Sequence, residues 1–446
     1  MTDAVSNGPR YCVIGAGAAG MATARRLRDG GFAFDCFEKT DRVGGHWHTD
    51  YECLHLITAR DVSGFEGHPM PASFPHFPSR DQIVAYLESF AREFGLYEHI
   101  KFNTEVTKVS PHGAAGDDGW QVELANGETR RYAGVIVCNG HLWDPLKPEY
   151  PGSFDGKEMH SVEYHNLGDL EGDRVLVVGA GNSGCDIAVE LAQARKETYV
   201  SMRTGQLFQP KTIFGRPRAL LRIAKLPARL NELATVALMH VTHGPPSRYG
   251  MPTPRSWWLR DTRPVVNSQL LHWVHHGRVT VVPGIHRLEG DSVRFADGSI
   301  RPVDTIVWAT GFKVTFPFLD ESLVRRRDGV PLRHAATTLP VGLERLYYVG
   351  LGAPRGAQLP TYDVEARLVA QMLPLKERSN VSLSREFARH EDPEWRIDMM
   401  PHEWRAQVVR AEKLLRRLGE RAAVAVPPHA AEPANTSLSD LVPMER

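Results

Sequence analysis

Short, unbroken apolar runs recur along the chain: Tyr11-Cys-Val-Ile14, Phe34-Asp-Cys-Phe37, Gly134-Val-Ile-Val-Cys138, Arg174-Val-Leu-Val-Val178, Thr198-Tyr-Val-Ser-Met202, Asp304-Thr-Ile-Val-Trp308 and Leu346-Tyr-Tyr-Val349. They are too short for helices and do not alternate, so they read as strands buried on both faces, the signature of parallel sheets. Helical periods lie between them. From Ala18 to Asp29, Met21, Ala24 and Leu27 share one face, and Gly30-Gly31 ends the segment. Ser79-Arg-Asp-Gln82 is a capping box for a helix to about Phe94, with Ile83, Leu87, Phe90 and Phe94 on its buried side. A further helix is expected from Cys185 to Ala194. Phe102 to Ser110 and Trp120 to Leu124 alternate like antiparallel strands, with Asn126-Gly127 as a hairpin turn. Arg218 to Met239 is a leucine-rich amphipathic helix whose Leu220, Leu221, Leu226, Leu230 and Leu233 read as mostly core. Pro401 to Leu418 reads as a late helix with a solvated basic face (Arg405, Arg410, Lys413, Arg416, Arg417). Beyond about residue 422, Ala and Pro dominate and a disordered tail is expected.

Two of the strand-to-helix turns are rich in glycine. The first is Gly15-Ala-Gly17-Ala18-Ala19-Gly20 and the second Gly179-Ala-Gly181-Asn182-Ser183-Gly184. In such a turn the first glycine permits the tight bend. The second admits a pyrophosphate to the backbone, and the third lets the helix pack against the strand. The free amides and dipole of the helix start favour phosphate. Glu38, followed by Lys39, closes the strand after the first turn, where an acid grips a ribose diol. The strand after the second turn ends in Arg203-Thr204 instead. An acid would repel a 2′-phosphate, whereas an arginine binds one bidentately. Two nucleotide cofactors are therefore expected, the second NADPH rather than NADH.

Composition agrees with this layout. A chain of 446 residues holds two or three domains with cores of their own. Lys+Arg 53 balances Asp+Glu 53, so no global field draws the protein to nucleic acid or an anionic membrane. Cys12, Cys36, Cys53, Cys138 and Cys185 form no CxxC pair, which favours a reducing compartment. The first residues, Met-Thr-Asp-Ala-Val-Ser-Asn, are polar and do not read as a signal peptide. No run of about 18 apolar residues occurs, and a cytoplasmic protein without a transmembrane segment is expected. His46, His48, His55, His76 and His275-His276 are irregularly spaced, so no metal site is expected. A homodimer is left open.

Between the two turns lies Phe154-x-Gly156-x-x-x-His160-x-x-x-Tyr164. With Asn139-Gly140-His141, the Gly-x-Gly-Asn-Ser-Gly turn and Ala309-Thr310-Gly311-Phe312, it resembles the fingerprint set of class B flavoprotein monooxygenases, specifically the flavin-containing monooxygenase group. Gly350-Leu-Gly352, Gly356-Ala357 and Glu365-Ala-Arg367 resemble that family's flavin-closing segment. The resemblance covers roughly residues 8 to 420. It implies an α/β fold of two dinucleotide-binding, Rossmann-like domains, the NADPH domain inserted in the FAD domain. FAD-binding parts would span 8–167 and 296–421, and the NADPH domain 168–295 with its helical insertion at about 218–240. The tail would be 422–446. The implied chemistry is hydride transfer from NADPH to FAD, then capture of O₂ as a flavin C4a-hydroperoxide in a dry site. The distal oxygen then passes to a small amine, sulfide or carbonyl compound.

The same resemblance assigns residue roles. Glu38 would hold the FAD ribose, Gly44-Gly45-His46-Trp47 would lie beside the FAD adenosine, and Val106 would meet adenine through its backbone. Gly140 would adjoin the first cofactor. Arg203 and Thr204 would hold the 2′-phosphate, and Thr310, Gly311 and Phe312 would link the domains. His160 and Tyr164 read first as hinge residues and second as a proton relay.

One place departs from the family. Where relatives show Leu-x-x-Asn-[ST]-Ser-[RK], this chain has Leu54-His-Leu56-Ile57-Thr58-Ala59-Arg60. Ile57 replaces the asparagine near the reacting atoms, a spelling partly similar to the plant auxin-forming branch. Thr58 and Arg60 are candidate compensating groups. Two alternatives follow. One is a Baeyer–Villiger monooxygenase, against which Tyr164 stands where those fingerprints carry Trp. The other is a degraded FAD- and NADPH-binding redox sensor or NADPH oxidase, for which Ile57 speaks.

Overall fold

The computed structural model of the chain describes residues 8–221, 226–379 and 381–422. Two five-stranded parallel sheets organise it. The first has the order Leu346–Tyr348, Gly134–Val137, Arg10–Ile14, Ala33–Phe37, Ile100–Lys101. The second has the order Lys157–His160, Thr305–Trp308, Arg174–Val178, Glu197–Ser201, Val279–Val282. Register aligns the strand ends. Ile14 lies beside Phe37 and Val137, and Val178 beside Ser201 and Trp308. Each glycine turn therefore leaves its sheet at the carboxyl edge, where α/β sheets bind ligands.

Side-chain alternation builds two cores around each sheet. Tyr11 and Val13 point into a helical layer formed by Ala18–Asp29, Arg80–Glu93 and Leu359–Arg378. Cys12 and Ile14 point the other way, against Trp120 and Val122 of a three-stranded antiparallel sheet. The second unit repeats this plan. Val175 and Val177 meet Ile187 and Leu191 of the Asn182–Gln193 helix. Leu176 and Val178 meet Val293 and Phe295 of a four-stranded sheet. Full burial of one such side chain stabilises by roughly 1.5–3 kcal/mol, so both faces of each sheet contribute to holding its turn.

Most expected elements recur. The first helix spans Ala18–Asp29 as expected, and both hydrogen bonds of the Ser79/Gln82 capping box are present. The second helix starts at Asn182, before the expected Cys185, because Gly181 is its extended N-cap and Gly184 sits inside its first turn. The second sheet reaches beyond the 168–295 span by taking in Lys157–His160 and Thr305–Trp308. Lys157-Glu-Met-His160 is too polar to have signalled a strand.

The leucine-rich helix runs Ala228–His243, and here the expected core is corrected. Leu230 and Leu233 are 53% and 51% exposed, and Leu226 is exposed too. Among the described residues there, the buried apolar cluster is small: Leu207, Met239 and Leu259, with Val236 and Trp257 against it. The late helix, Pro401–Ala422, does bury Trp404, Val408, Ala411, Leu415 and Leu418 while its arginines stay exposed. Residues 423–446, where the tail was expected, lie outside the described residues.

Among the described residues, no helix is long and apolar enough to cross a membrane. No group of three or more His, Cys, Asp or Glu among them could hold a metal. Cys12, Cys36, Cys138 and Cys185 are free and buried, and burial raises their thiol pKa.

Candidate active site

The first turn is packed shut. Gly15 has φ +97°, and a side chain there would begin 2.9 Å from Cys138 O. One at Gly20 would begin 1.8 Å from Gly15 O, so helix and strand tolerate only hydrogen. The Gly44-Gly45 loop lies over the turn: Gly44 N–H donates to Ala16 O at 3.0 Å. A Cβ at Gly17 would sit 3.7 Å from Gly45 Cα. Glu38 is buried at the end of its strand. Its Oε2 accepts from Ala16 N–H at 2.7 Å, and its Oε1 from Thr40 N–H and Oγ1–H at 2.9 Å each. A carboxylate offers about four acceptor positions, so Oε2 keeps one.

Around this turn stand His46, whose Nδ1 donates to Asp50 at 2.6 Å, and Trp47, stacked on it at 5.3 Å. Lys39 Nζ lies 5.4 Å from the Trp143 ring. Val106 packs with Ile14 and Phe37. Two buried polar atoms on the segment leaving the Gly134–Val137 strand, Asn139 Oδ1 and Trp143 Nε1, have no partner among the described residues. Gly140, φ +71°, and His141 follow Asn139. His141 Nδ1–H donates to Gly350 O at 3.1 Å, and burial lowers its pKa to about 4. A pyrophosphate cradle, a ribose acceptor and unpaired polar atoms at the carboxyl edge fit a bound FAD.

The second turn repeats the frame but is open. Gly179, φ +105°, and Gly184 have Cβ positions blocked by Ala309 O at 2.4 Å and Gly179 O at 2.1 Å. A Cβ at Gly181 would meet nothing within 4 Å, which leaves room for phosphate. Asn182 Oδ1 accepts from Val266 N–H at 2.9 Å, and Ser183 lies beside Tyr51. Arg203 is exposed, and among the described residues it has no hydrogen bond or ion pair. Its stem lies on Gly284, where a Cβ would be 2.9 Å from Arg203 Cγ. Thr204 follows it, half-buried. A free guanidinium past the strand end fits the extra phosphate of NADPH.

Contacts that join the two units include Arg355 to Leu259 O and Thr262 O, and three more sets bear on the site. First, Phe312–Lys313 pairs with Asp144–Pro145, and Thr310 Oγ1–H donates to Leu146 O. Gly311 O accepts from Leu146 N–H at 2.9 Å and from His160 Nε2–H at 3.0 Å. His160 Nδ1 accepts from Val162 N–H at 3.2 Å, so both ring nitrogens are engaged, and burial lowers its pKa. Second, Tyr164 O–H donates to Glu190 at 2.7 Å, tying the linker to the second unit's helix. Burial and that carboxylate push its phenol pKa up.

The third is the Tyr51–Arg60 loop. Tyr51 O–H donates to Asp186 at 3.0 Å, while Asn267 holds the other carboxylate oxygen. Burial raises the Asp186 pKa. Further on, Leu56 N–H donates to Pro78 O at 2.8 Å and Arg60 N–H to His76 O at 2.9 Å. Ile57 is half-buried and belongs to none of the described apolar clusters. Thr58 Oγ1 bonds Ser63 Oγ at 2.8 Å, and Arg60 Nε lies 3.8 Å from Asp61. The Thr58 hydroxyl is taken up by Ser63, which itself donates to Ala59 O, whereas among the described residues the Arg60 guanidinium makes no hydrogen bond and keeps its donors.

A family model described as flavin-binding monooxygenase-like matches residues 8–388. The chain belongs to this family. Its curated relatives include flavin-containing monooxygenase 3 of Homo sapiens, 31% identical over 396 residues, covering 82% of this chain and 74% of that protein. Among solved structures, a flavin-containing monooxygenase from Stenotrophomonas maltophilia matches at TM-score 0.65 and 22% identity, over 82% of this chain and 98% of that one. Cyclohexanone monooxygenase in an open crystal structure matches at TM-score 0.67 and 19% identity, over 93% and 97%. This flavin-binding monooxygenase is thus an oxidoreductase that uses FAD and NADPH, with O₂ and a small molecule as its reaction partners.

The sequence reading missed part of the site. His141 stood in the Asn139-Gly140-His141 motif, but only the fold shows it reaching Gly350. Tyr51, Asp186 and Asn267 carried no local signal, because Tyr51 meets Asp186 across the two units and Asn267 meets it from 81 residues away in the second.

Proposed function

We propose that this chain is an NADPH- and O₂-dependent monooxygenase that transfers one oxygen atom to a small soft nucleophile, an amine or sulfide, or to a carbonyl compound. The sheets are then two Rossmann-like domains, the NADPH unit inserted in the FAD unit. The supporting observation is the Tyr51–Arg60 loop, which carries Ile57: rooted on His76 and Pro78, it reaches across to Asp186 on the helix that follows the second turn.

FAD, once reduced by NADPH, supplies the oxygen activation. The protein's part is binding, orientation and exclusion of water. Glu38 accepts a ribose hydroxyl, and the amides of Ala18, Ala19 and Gly20 face the pyrophosphate. At the second turn, Asn182 to Gly184 receive the other pyrophosphate, while Arg203 and Thr204 hold the 2′-phosphate. His160, with both nitrogens engaged, acts with Tyr164 as a hinge element rather than a proton relay. Ile57 excludes water but donates no hydrogen bond.

That last property favours a second reading, an NADPH oxidase or redox sensor. A decisive experiment mixes the NADPH-reduced protein with O₂ and follows flavin reoxidation, with peroxide counted per NADPH. A lag before reoxidation, with oxygenated product from a tertiary amine, thioether or ketone, supports the monooxygenase. Immediate reoxidation with one peroxide per NADPH, whatever compound is added, supports the oxidase. A ketone converted to an ester or lactone, with amines untouched, marks the Baeyer–Villiger alternative.

A further inference from the structure

The segment Gly350–Gly352 leaves the edge strand of the first sheet and runs along the first glycine turn. A side chain at Gly350 would begin 2.8 Å from Ala19 Cβ. Two ionisable side chains with 0% exposure hold the segment's backbone. Glu365, on the Leu359–Arg378 helix, accepts Gly350 N–H through Oε2 at 2.7 Å. Arg333 donates Nη1–H to Leu351 O at 2.8 Å and Nη2–H to Arg396 O at 2.9 Å. Thr337 completes the group, its hydroxyl donating to Glu365 Oε1 at 2.9 Å. A Cβ at Gly352 would fall 2.5 Å from Thr337 Oγ1 and 2.9 Å from Glu365 Oε1, so the backbone lies flush against these side chains.

The backbone that delivers Thr337 is strained. Ala335, Ala336 and Thr337 have φ of +52°, +53° and +80°, three consecutive left-handed residues without a glycine. Each is costly for a residue with a side chain and persists only where its surroundings over-determine it. Buried charges are costly as well, and Arg333 Nε has no partner among the described residues. Neutral side chains and backbone would tie down a loop at lower cost. What the arrangement adds is rigidity of one backbone stretch: among the described residues, Leu351 N–H and Gly352 N–H donate to no acceptor. Both follow directly on Gly350, which lies against the turn that fits FAD.

We propose that Arg333, Thr337 and Glu365 form a buried clamp that fixes the Gly350–Gly352 amides against the polar edge of the FAD ring, making them positioning residues for the flavin. The inference rests on FAD at the first turn and not on which substrate is oxygenated. Thr337→Val removes one hydroxyl and keeps the branched shape; Thr337→Ser keeps the hydroxyl. The holoproteins are compared for FAD release (by fluorescence on dilution), for the visible flavin band, for midpoint potential, and for NADPH affinity. Thr337→Val is expected to weaken FAD about tenfold and to shift both band and potential, with NADPH affinity unchanged. Thr337→Ser restores all three flavin readings. Glu365→Gln, which keeps an acceptor for Gly350 N–H but loses the charge, shifts the potential more than it weakens FAD. Parental FAD affinity, band and potential in Thr337→Val overturn the clamp, as does a lowered melting temperature with these readings unmoved. A protein that yields only peroxide would fail the oxygenation test and still show the flavin shifts, so the two failures are distinguishable.

Discussion

The two glycine turns share one plan and differ in closure. In each, the first glycine lies against the end of a neighbouring strand, Cys138 in one and Ala309 in the other, and the third glycine lies on the first. The residues that follow also correspond: Asn139-Gly140-His141 beside the first turn, Thr310-Gly311-Phe312 beside the second, with both glycines at positive φ. Yet the first turn is roofed by Gly44-Gly45 and bound to a buried Glu38, whereas the second faces open space at Gly181 with an exposed Arg203. The difference teaches that one glycine plan can be built closed or open, and under the proposed function the closed turn suits a retained FAD and the open one an exchanging NADPH. What decides is the wall around the turn.

The comparison breaks most sharply at the middle glycines. Gly17→Val pushes side-chain carbons into the space between the turn and Gly45, and colourless protein is expected on purification. Gly181→Val meets no protein atoms. It is expected to stay yellow with an unchanged melting temperature, be bleached by dithionite, and resist reduction by NADPH. A yellow Gly17→Val protein, or an unfolded Gly181→Val one, sinks the contrast.

Charge comes next. Arg203→Ala is expected to raise KM for NADPH by about 10- to 150-fold, the loss of a charge-assisted contact of about 1.5–3 kcal/mol, and to spare NADH. Equal effects on both cosubstrates would remove Arg203 from the site. On the Tyr51–Arg60 loop, Ile57→Asn supplies one hydrogen-bond donor worth about 1–2 kcal/mol and is expected to lower peroxide per NADPH several-fold. If instead the melting temperature falls and coupling stays put, Ile57 is only packing.

The smallest effect separates His141 from its counterpart Phe312. His141 is held neutral in the folded state, with a pKa lowered by burial to about 4. The unfolded chain therefore binds more protons between about pH 6.5 and 4, and stability falls as pH drops through that window. The contribution, on the order of 1–2 kcal/mol at pH 5.5, is expected to vanish from the pH–melting profile of His141→Gln. An unchanged acid limb in that variant would place the sensitivity elsewhere.

Much of this was readable along the chain. The first helix ran from Ala18 to Asp29 because glycine flanks both ends, and the Ser79/Gln82 box named its own helix. Strand ends and glycine turns carry local rules, so both parallel sheets and the turns that leave them were legible. What escaped was relational. Lys157–His160 joins a sheet that its own residues do not announce. Leu226, Leu230 and Leu233 have the spacing of a buried stripe, but spacing cannot say whether anything covers it, and in this chain they are exposed. Arg333 and Glu365 lie 32 positions apart, and only the left-handed turn at Ala335–Thr337 brings that group together.

Chain passes between the sheets along two ribbons, residues 138–157 and 308–346, and the two are clipped to each other where Asp144–Pro145 meets Phe312–Lys313. Gly311 carries the clip, its carbonyl taking two donors at once while its own backbone holds φ +89°. The clip is not the sole anchor: Tyr51 reaches Asp186, and Arg355 reaches Leu259 O and Thr262 O. Any turning of one sheet against the other would have to break these bonds as well as bend the clip, so the two ribbons and their anchors together fix how the sheets face each other.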